Sequence, residues 1–383
     1  MSEYQYYEFL AIDRPLSSSE MDHLRAISTR ARITPVSFVN EYHWGHFKGN
    51  SIEFMRRFFD AHVYLANWGE ALFMVRLPLE AIDEQTITAF CSTSHLTAEK
   101  LSHHWLLTWS LLGDTEDYDP PDFVEETAWM ARLAPLREEL LRGDLRSLYI
   151  GWLKAVSTGE VRDDDAEPLA LQGLGELTLP QQALAELLAV DQDLLAGAGI
   201  GNPPLQSAEV TTVMDTWLDQ LDQTEVKKYL RLLLSGKGVE AERELKRHFA
   251  AWQAEDRPEA KETCRTIAML AQLAEQAKEN RLRKEAQIRS QAEAERQKLR
   301  KMKLAKLFND FPRAWKNAHA EADKGYASAY DLACQQLVDL REAYAQQGMS
   351  SSFQTEMERF MKTHRNRKAL LTRLVKAGLC RMV

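Results

Sequence analysis

From Glu259 to Phe311 the chain runs for 53 residues without a glycine or a proline. Nothing in it breaks a helix, so the stretch predicts one approaching ~80 Å at the 1.5 Å rise of an α-helix. Its apolar residues do not recur as heptads: between Leu282 and Leu299 only Ile288 is large and apolar. A coiled-coil seam is therefore not expected. Glu279 with Arg283, and Glu285 with Arg289, stand four apart, the spacing that supports a largely solvated helix.

Charge is divided about this element. The net charge of −9 is made of −20 over residues 1–260 and +11 over residues 261–383. Such polarity fits a basic segment that meets nucleic acid or an acidic partner, and it equally fits two halves that attract one another. At 383 residues the chain has material for more than one core. Its start is polar and acidic, and no stretch approaches the roughly 18 apolar residues of a membrane span. Cys91, Cys264, Cys334 and Cys380 are far apart and form no C-x-x-C. A cytoplasmic protein with no membrane partner is expected.

Strand and helix signals alternate through residue 112. "YYEFLAIDRPL" reads as a strand; Ser17 and Glu20 have capping-box spacing and Leu16 can staple to Met21, predicting a helix from Ser18 to about Arg30. Val36 to Trp44 reads as a strand with Phe38 and Tyr42 on one side and Glu41 and His43 on the other. After Gly45 and Gly49, Asn50 can cap a helix through "SIEFMRRFFDAHVYLA", with Met55, Phe58, Phe59 and His62 at helical spacing. "ALFMVRLP" and "HWLLTWSLL" are further strands, with a short helix between Ile82 and Phe90. The expected fold class is α+β: a small N-terminal α/β sandwich, ferredoxin-like in spirit, followed by a mostly α-helical region. The turn-rich, acidic "GDTEDYDPPD" closes the first part, and helical hairpins follow, one of them about Gly143. The expected segments are 1–112, a helical domain over 123–257, the charged helix 258–311 and a C-terminal helical unit over 312–383.

Two regions carry candidate chemistry. His43 and His46 stand three apart in "YHWGHF", with Glu41, Arg30, Arg32 and the later His62 as neighbours in any site. Metal ligands must converge, which a strand entering a glycine turn does not by itself provide. His43, His46 and His62 are thus metal candidates only if the fold collects them, and Glu41, His43, His46, Arg30 and Arg32 are the acid/base or ligand-contacting candidates. No metal or other cofactor is expected. The second region is basic: Arg281 to Lys306 holds 10 Lys/Arg against 3 Glu. Its Arg281, Arg283, Lys284, Arg289, Arg296, Arg300 and Lys303, with Arg365, Arg367 and Lys368 of the tail, are candidates for phosphate contact. Aromatic residues are nearly absent among them, so base stacking is not indicated. "AGAGIGN" follows a helix and lacks dinucleotide-loop spacing; "SGKGVE" lacks the upstream glycine of a phosphate loop. The acidic runs near Asp117 and over Asp163 to Asp165 lack the calcium-loop pattern.

"YYEFLAIDRPL", "YHWGHFKGN" and "YLANWG" together resemble the start of a family of uncharacterised bacterial proteins of similar length, and the likeness extends to "LREELLRGDLRSLYIGWL". The tail "YDLACQQLVDLREAYAQQG" with "FQTEMERFMKTHRNRKALLTRLVKAGL" is similar to that of uncharacterised bacterial proteins, some of which carry a SWIM-type zinc finger. This chain has no such finger, because its cysteines and histidines lack the spacing. The resemblance implies kinship and transfers no mechanism. Three functions follow in order: a non-enzymatic cytoplasmic interaction or scaffold protein with a protein partner, a nucleic-acid-associated protein using 278–306 and the tail, and an enzyme or metal protein built around His43. Oligomeric state is left open.

Overall fold

The computed structural model describes residues 4–45, 47–111, 129–205, 210–236, isolated positions between 238 and 252, and 264–380. Contacts divide the chain into two compact units, Met1–Asn280 and Arg281–Val383. The fold is α+β, with an antiparallel sheet first and helices after it.

Seven strands form the sheet: β1 (Gln5–Leu10), β2 (Arg32–Ile33), β3 (Ser37–Tyr42), β4 (Ala61–Ala66), β5 (Ala71–Pro78), β6 (Leu96–Lys100) and β7 (His104–Leu111), ordered β2-β3-β1-β4-β5-β7-β6. Every neighbouring pair is antiparallel. The β1–helix–β3 connection brings β3 directly beside β1, whereas a split βαβ unit leaves room for a strand between. The connecting helix, α1 (Ser18–Ile27), starts where its sequence says: Ser17 Oγ accepts the Glu20 amide and the Glu20 carboxylate accepts the Ser17 amide.

One reading is corrected. The helix beginning at Ser51 ends at Arg57 (α2, Ser51–Arg57), and Ala61–Ala66, expected as its continuation, is β4 beside the first strand. The period changes at Asp60, whose carboxylate takes the amides of Ile12 and Asp13 and so pins the turn. Beyond it Ala61, Val63 and Leu65 alternate onto one buried face. Strands β2 and β6, too short or too polar to show in the pattern, were also not expected.

The two sheet faces hold two cores. Phe9, Phe38, His62 and Met74 share one face, where Leu24 of α1 and Phe54 and Met55 of α2 close over them with Phe58 and Phe59. The other face presents Val63, Leu65, Phe73, Val75, Trp105, Leu107 and Trp109 to a helical layer. That layer comprises α3 (Glu84–Phe90), α4 (Trp129–Leu133), α5 (Pro135–Leu141), α6 (Arg146–Ser157), α7 (Leu179–Leu187) and α8 (Gln192–Gly199). Trp109 donates its indole N–H to the Ser147 carbonyl at 3.0 Å and lies against Gly151, where a Cβ would stand 2.8 Å from the ring. The sheet and helices thus share one core across the expected 112/123 boundary. Helices α9 (Val210–Gln220) and α10 (Gln223–Leu234) follow.

The long helix, α11 (Ile267–Phe308), is 42 residues of unbroken α-helix. Its first turns belong to the N-terminal core through Ile267 and Leu270. Gly197 lets it approach α8: a Cβ there would be 2.6 Å from the Ala274 amide nitrogen. Of the glycines of "AGAGIGN", Gly197 thus serves the approach of α11 and Gly199 packs on Gly175. The C-terminal unit has its own core, in which α12 (Phe311–Lys324), α13 (Ala327–Gln346), α14 (Ser350–Thr363) and α15 (Lys368–Lys376) bury Trp315, Leu337, Leu340, Phe360, Leu370 and Leu374. Among the described residues no helix is long and apolar enough to cross a membrane.

Candidate functional site

Strand alternation gathers part of the His43 region. Tyr6 stands opposite Glu41 across β1 and β3, Val39 stands opposite both Glu8 and Arg32, and so these side chains share one sheet face. Tyr6 donates its hydroxyl proton to Glu8 Oε2 at 2.8 Å; Arg32 reaches Glu41 at 3.2 Å. Tyr4 and His43 face each other at 5.1 Å between ring centroids. Burial pushes the Glu8 carboxyl above its ordinary range, against the Tyr6 hydrogen bond and the nearby Arg32 charge that lower it. Glu41, His43 and Arg32 are exposed. The exposed Glu41, Arg32 and His43 can hydrogen-bond a ligand, with the half-buried Glu8 carboxyl and the buried Tyr6 phenol behind them. Arg30 is exposed in the loop before β2, and His46 lies outside the described residues.

His62 is removed from it. It lies on the opposite sheet face, stacked on Phe9 with ring centroids 3.8 Å apart and 1 % exposed. Burial drives its pKa down to about 3, so the ring is neutral and its Nδ1–H donates to the Glu8 carbonyl at 2.9 Å. Such a histidine is a core aromatic with one satisfied polar atom. Among the described residues no group of three or more His, Cys, Asp or Glu side chains converges as metal ligands.

The basic helix separates into two kinds of cation. Arg300 bonds Asp339 and, at 2.5 Å, Glu342 of α13, while Lys303 reaches Asp339 at 2.5 Å. The Asp339 side chain is 5 % exposed, so these two cations neutralise a buried carboxylate. Arg367 is similarly tied to Asp323 and to the Tyr330 hydroxyl, and Arg281 to Glu285. Arg283, Lys284, Arg289, Arg296, Arg365 and Lys368 are exposed. Every position from Leu282 to Leu299 is exposed. Beside α13, an open cleft of about 710 Å³ is lined by Arg289, Glu293, Arg296, Arg300, Lys301 and Glu342. Helical spacing brings these charges together; the residues of α13 that engage Arg300 and Lys303 could not be read from it.

Three buried polar groups were not anticipated. Asp60, Arg76, Arg137 and Asp13 form one: Asp60 to Arg76 at 2.6 Å and Arg137 to Asp13 at 2.9 Å, with Arg137 Nε donating to the Arg76 carbonyl. Glu167 accepts the Tyr149 hydroxyl at 2.5 Å and the Arg265 guanidinium at 2.7 Å. Arg146 binds Asp144 and the carbonyls of Gly173 and Glu176. The sequence signal is only an arginine within an apolar strand or helix for Arg76 and Arg137 and at a helix start for Arg146, and Arg265, ahead of α11, carries none. All three tie elements of the first unit together. Cys91, whose thiol burial pushes up to about 12, is unsuited to nucleophilic work. Compared with protein-family models, curated proteins and solved structures, the chain matches none.

Proposed function

We propose that this chain is a non-enzymatic interaction protein of the cytoplasm that meets an anionic macromolecule with the exposed basic part of α11. The observation that carries this reading is the run from Leu282 to Leu299, exposed at every position and rich in arginine and lysine that no α13 carboxylate occupies. A helix polar on all sides gains nothing from a core of its own and is kept as a connector or as a binding surface. Local potential favours an anion: Arg289, Arg296, Arg300 and Lys301 line the 710 Å³ cleft against Glu293 and Glu342, and Arg300 already neutralises Glu342. The test is retention of the purified chain on immobilised heparin at 50 mM salt, beside Arg289→Glu/Arg296→Glu/Lys301→Glu. Retention of the parent chain that the variant loses, with an unchanged circular dichroism spectrum, is expected. Equal elution of both overturns the reading.

A second reading rests on the half-buried Glu8, whose raised proton affinity beside the Tyr6 hydroxyl suits a ligand-binding acid at the sheet edge where Glu41, Arg32 and His43 are exposed. Chemical-shift changes confined to these residues on adding a small-molecule library would support it; none would remove it.

A further inference from the structure

We propose that the chain pairs with a second copy of itself through α9 and α10, the exposed apolar ridge of each helix lying antiparallel on that of the other helix in the second copy. The two helices repeat one pattern: Met214, Asp215, Trp217, Leu218 and Asp219 in α9 become, twelve positions on, Val226, Lys227, Tyr229, Leu230 and Arg231 in α10. Trp217 and Tyr229 are buried and turn to one group, the ring of His248, which lies 5.8 Å from the Trp217 ring between centroids and whose Nδ1 is 3.1 Å from the Tyr229 hydroxyl. With the aromatics fixed inward, helical spacing turns the ridges outward. At about 100° per residue, Met214 and Leu218 lie about 60° and 100° around α9 from Trp217, and Val226 and Leu230 lie likewise from Tyr229. All four are exposed, and Leu233 and Leu234, the latter 87 % exposed, extend the ridge of α10. Single exposed aliphatic side chains are ordinary, but a continuous ridge rimmed by charge marks a contact surface.

The rims select the partner. On the side of each ridge away from its aromatic, α9 carries Asp215 and Asp219 and α10 carries Lys227 and Arg231, all exposed. Two helices packed ridge to ridge bring equivalent flanks together when antiparallel and set them on opposite sides when parallel. Antiparallel α9 on α9, or α10 on α10, would oppose like charges; α9 on α10 opposes the aspartates to the lysine and arginine. Within one copy that pairing is closed, because both aromatics meet His248 and both ridges stay exposed. A twofold axis supplies it twice, as an antiparallel four-helix contact between identical surfaces. A foreign protein would need an acidic and a basic rim in matching order, which a second copy already has.

Sedimentation velocity of the full-length chain over a concentration series tests this, against the 43.9 kDa of one chain. A reversible dimer of the parent chain is expected. Asp215→Lys/Asp219→Lys makes both rims basic and Lys227→Glu/Arg231→Glu makes both acidic, so each variant alone should dimerise at least about 100-fold more weakly. An equimolar mixture of the two should dimerise as the parent does, because every contact across the mixed dimer again opposes unlike charges; misfolded variants could not give that recovery. A parent chain that stays at 43.9 kDa throughout overturns the proposal. A parent dimer that both variants retain overturns it too, placing the interface elsewhere, as does a mixture that stays monomeric while each variant keeps the parent's circular dichroism spectrum. Should the charge reversals disturb the fold, Leu230→Glu at an exposed ridge position decides: monomer is expected, and a dimer of undiminished affinity overturns the assignment.

Discussion

Asp60 sits 1 % exposed where β4 begins and accepts four hydrogen bonds, from the amides of Ile12 and Asp13 and from Nε and Nη2 of Arg76. Burial raises its carboxyl, but Arg76, the Asp13 amide and Arg137 outweigh burial and hold it below the usual carboxylate range. Asp60→Ala leaves a nearly buried guanidinium and two amides without their acceptor, so a loss of about 3–5 kcal/mol is expected in urea unfolding at pH 7. Its neighbour His62 gives the first unit an acid sensitivity of opposite chemistry. The unfolded imidazole titrates near 6.5, the folded one near 3, so between these values the unfolded chain binds one proton more. Stability from this group is complete above pH 6.5 and falls by about 1.4 kcal/mol per pH unit below it. His62→Phe preserves the stacking on Phe9 and abolishes that proton. Between pH 6.5 and pH 5 the parent chain should lose about 2 kcal/mol relative to the variant; a difference independent of pH would show that His62 is not held neutral.

At the scale of elements, local signals were legible and long-range ones were not. The Ser17–Glu20 capping box and Asn50 cap both formed where spacing placed them, because their partners lie within one turn. The identity of residues 61–66 was not legible: Phe54, Met55, Phe58 and Phe59 continue a helical rhythm that only Asp60 interrupts, and the bonds that make Asp60 a breaker come from Ile12 and Asp13, 48 and 47 residues away. The same reason hid the split among the basic residues. On the sequence Arg296, Arg300 and Lys303 form one stripe; in the structure two of them serve Asp339 and Glu342 of α13. Their substitutions should therefore differ. Arg300→Ala removes the charge-assisted bonds of a nearly buried carboxylate and should cost the C-terminal unit about 1–3 kcal/mol, discounted for the partial exposure of Arg300. Arg296→Ala should change stability by under about 0.5 kcal/mol. Thermal denaturation of the two variants decides the assignment; equal shifts would mean that the α13 ion pairs hold nothing.

For the whole molecule, the decisive question is where the chain can be divided. A break in helical pattern at Pro258 suggests a boundary there, yet the first turns of α11 are part of the N-terminal core. Ile267 and Leu270 are buried in it, Gly197 packs on the Ala274 backbone, and Arg265 supplies the guanidinium that neutralises Glu167, a carboxylate 6 % exposed and already bonded to Tyr149. A chain ending at 257 strands that carboxylate and uncovers the apolar floor beneath the helix. One ending at 280 keeps both. Loss of the buried ion partner alone is worth about 3–5 kcal/mol, and two exposed aliphatic side chains add about 1.5–3 kcal/mol each. A first unit of typical stability, about 5–15 kcal/mol, would lose most of it. Residues 1–280 are therefore expected to unfold cooperatively in urea, residues 1–257 to melt near zero denaturant, and residues 281–383, with the Trp315 and Phe360 core of their own, to fold separately. Equal stability of the two N-terminal fragments would show that α11 is a connector from its first turn; the expected difference makes its beginning part of a core and leaves only its exposed basic part to face a partner.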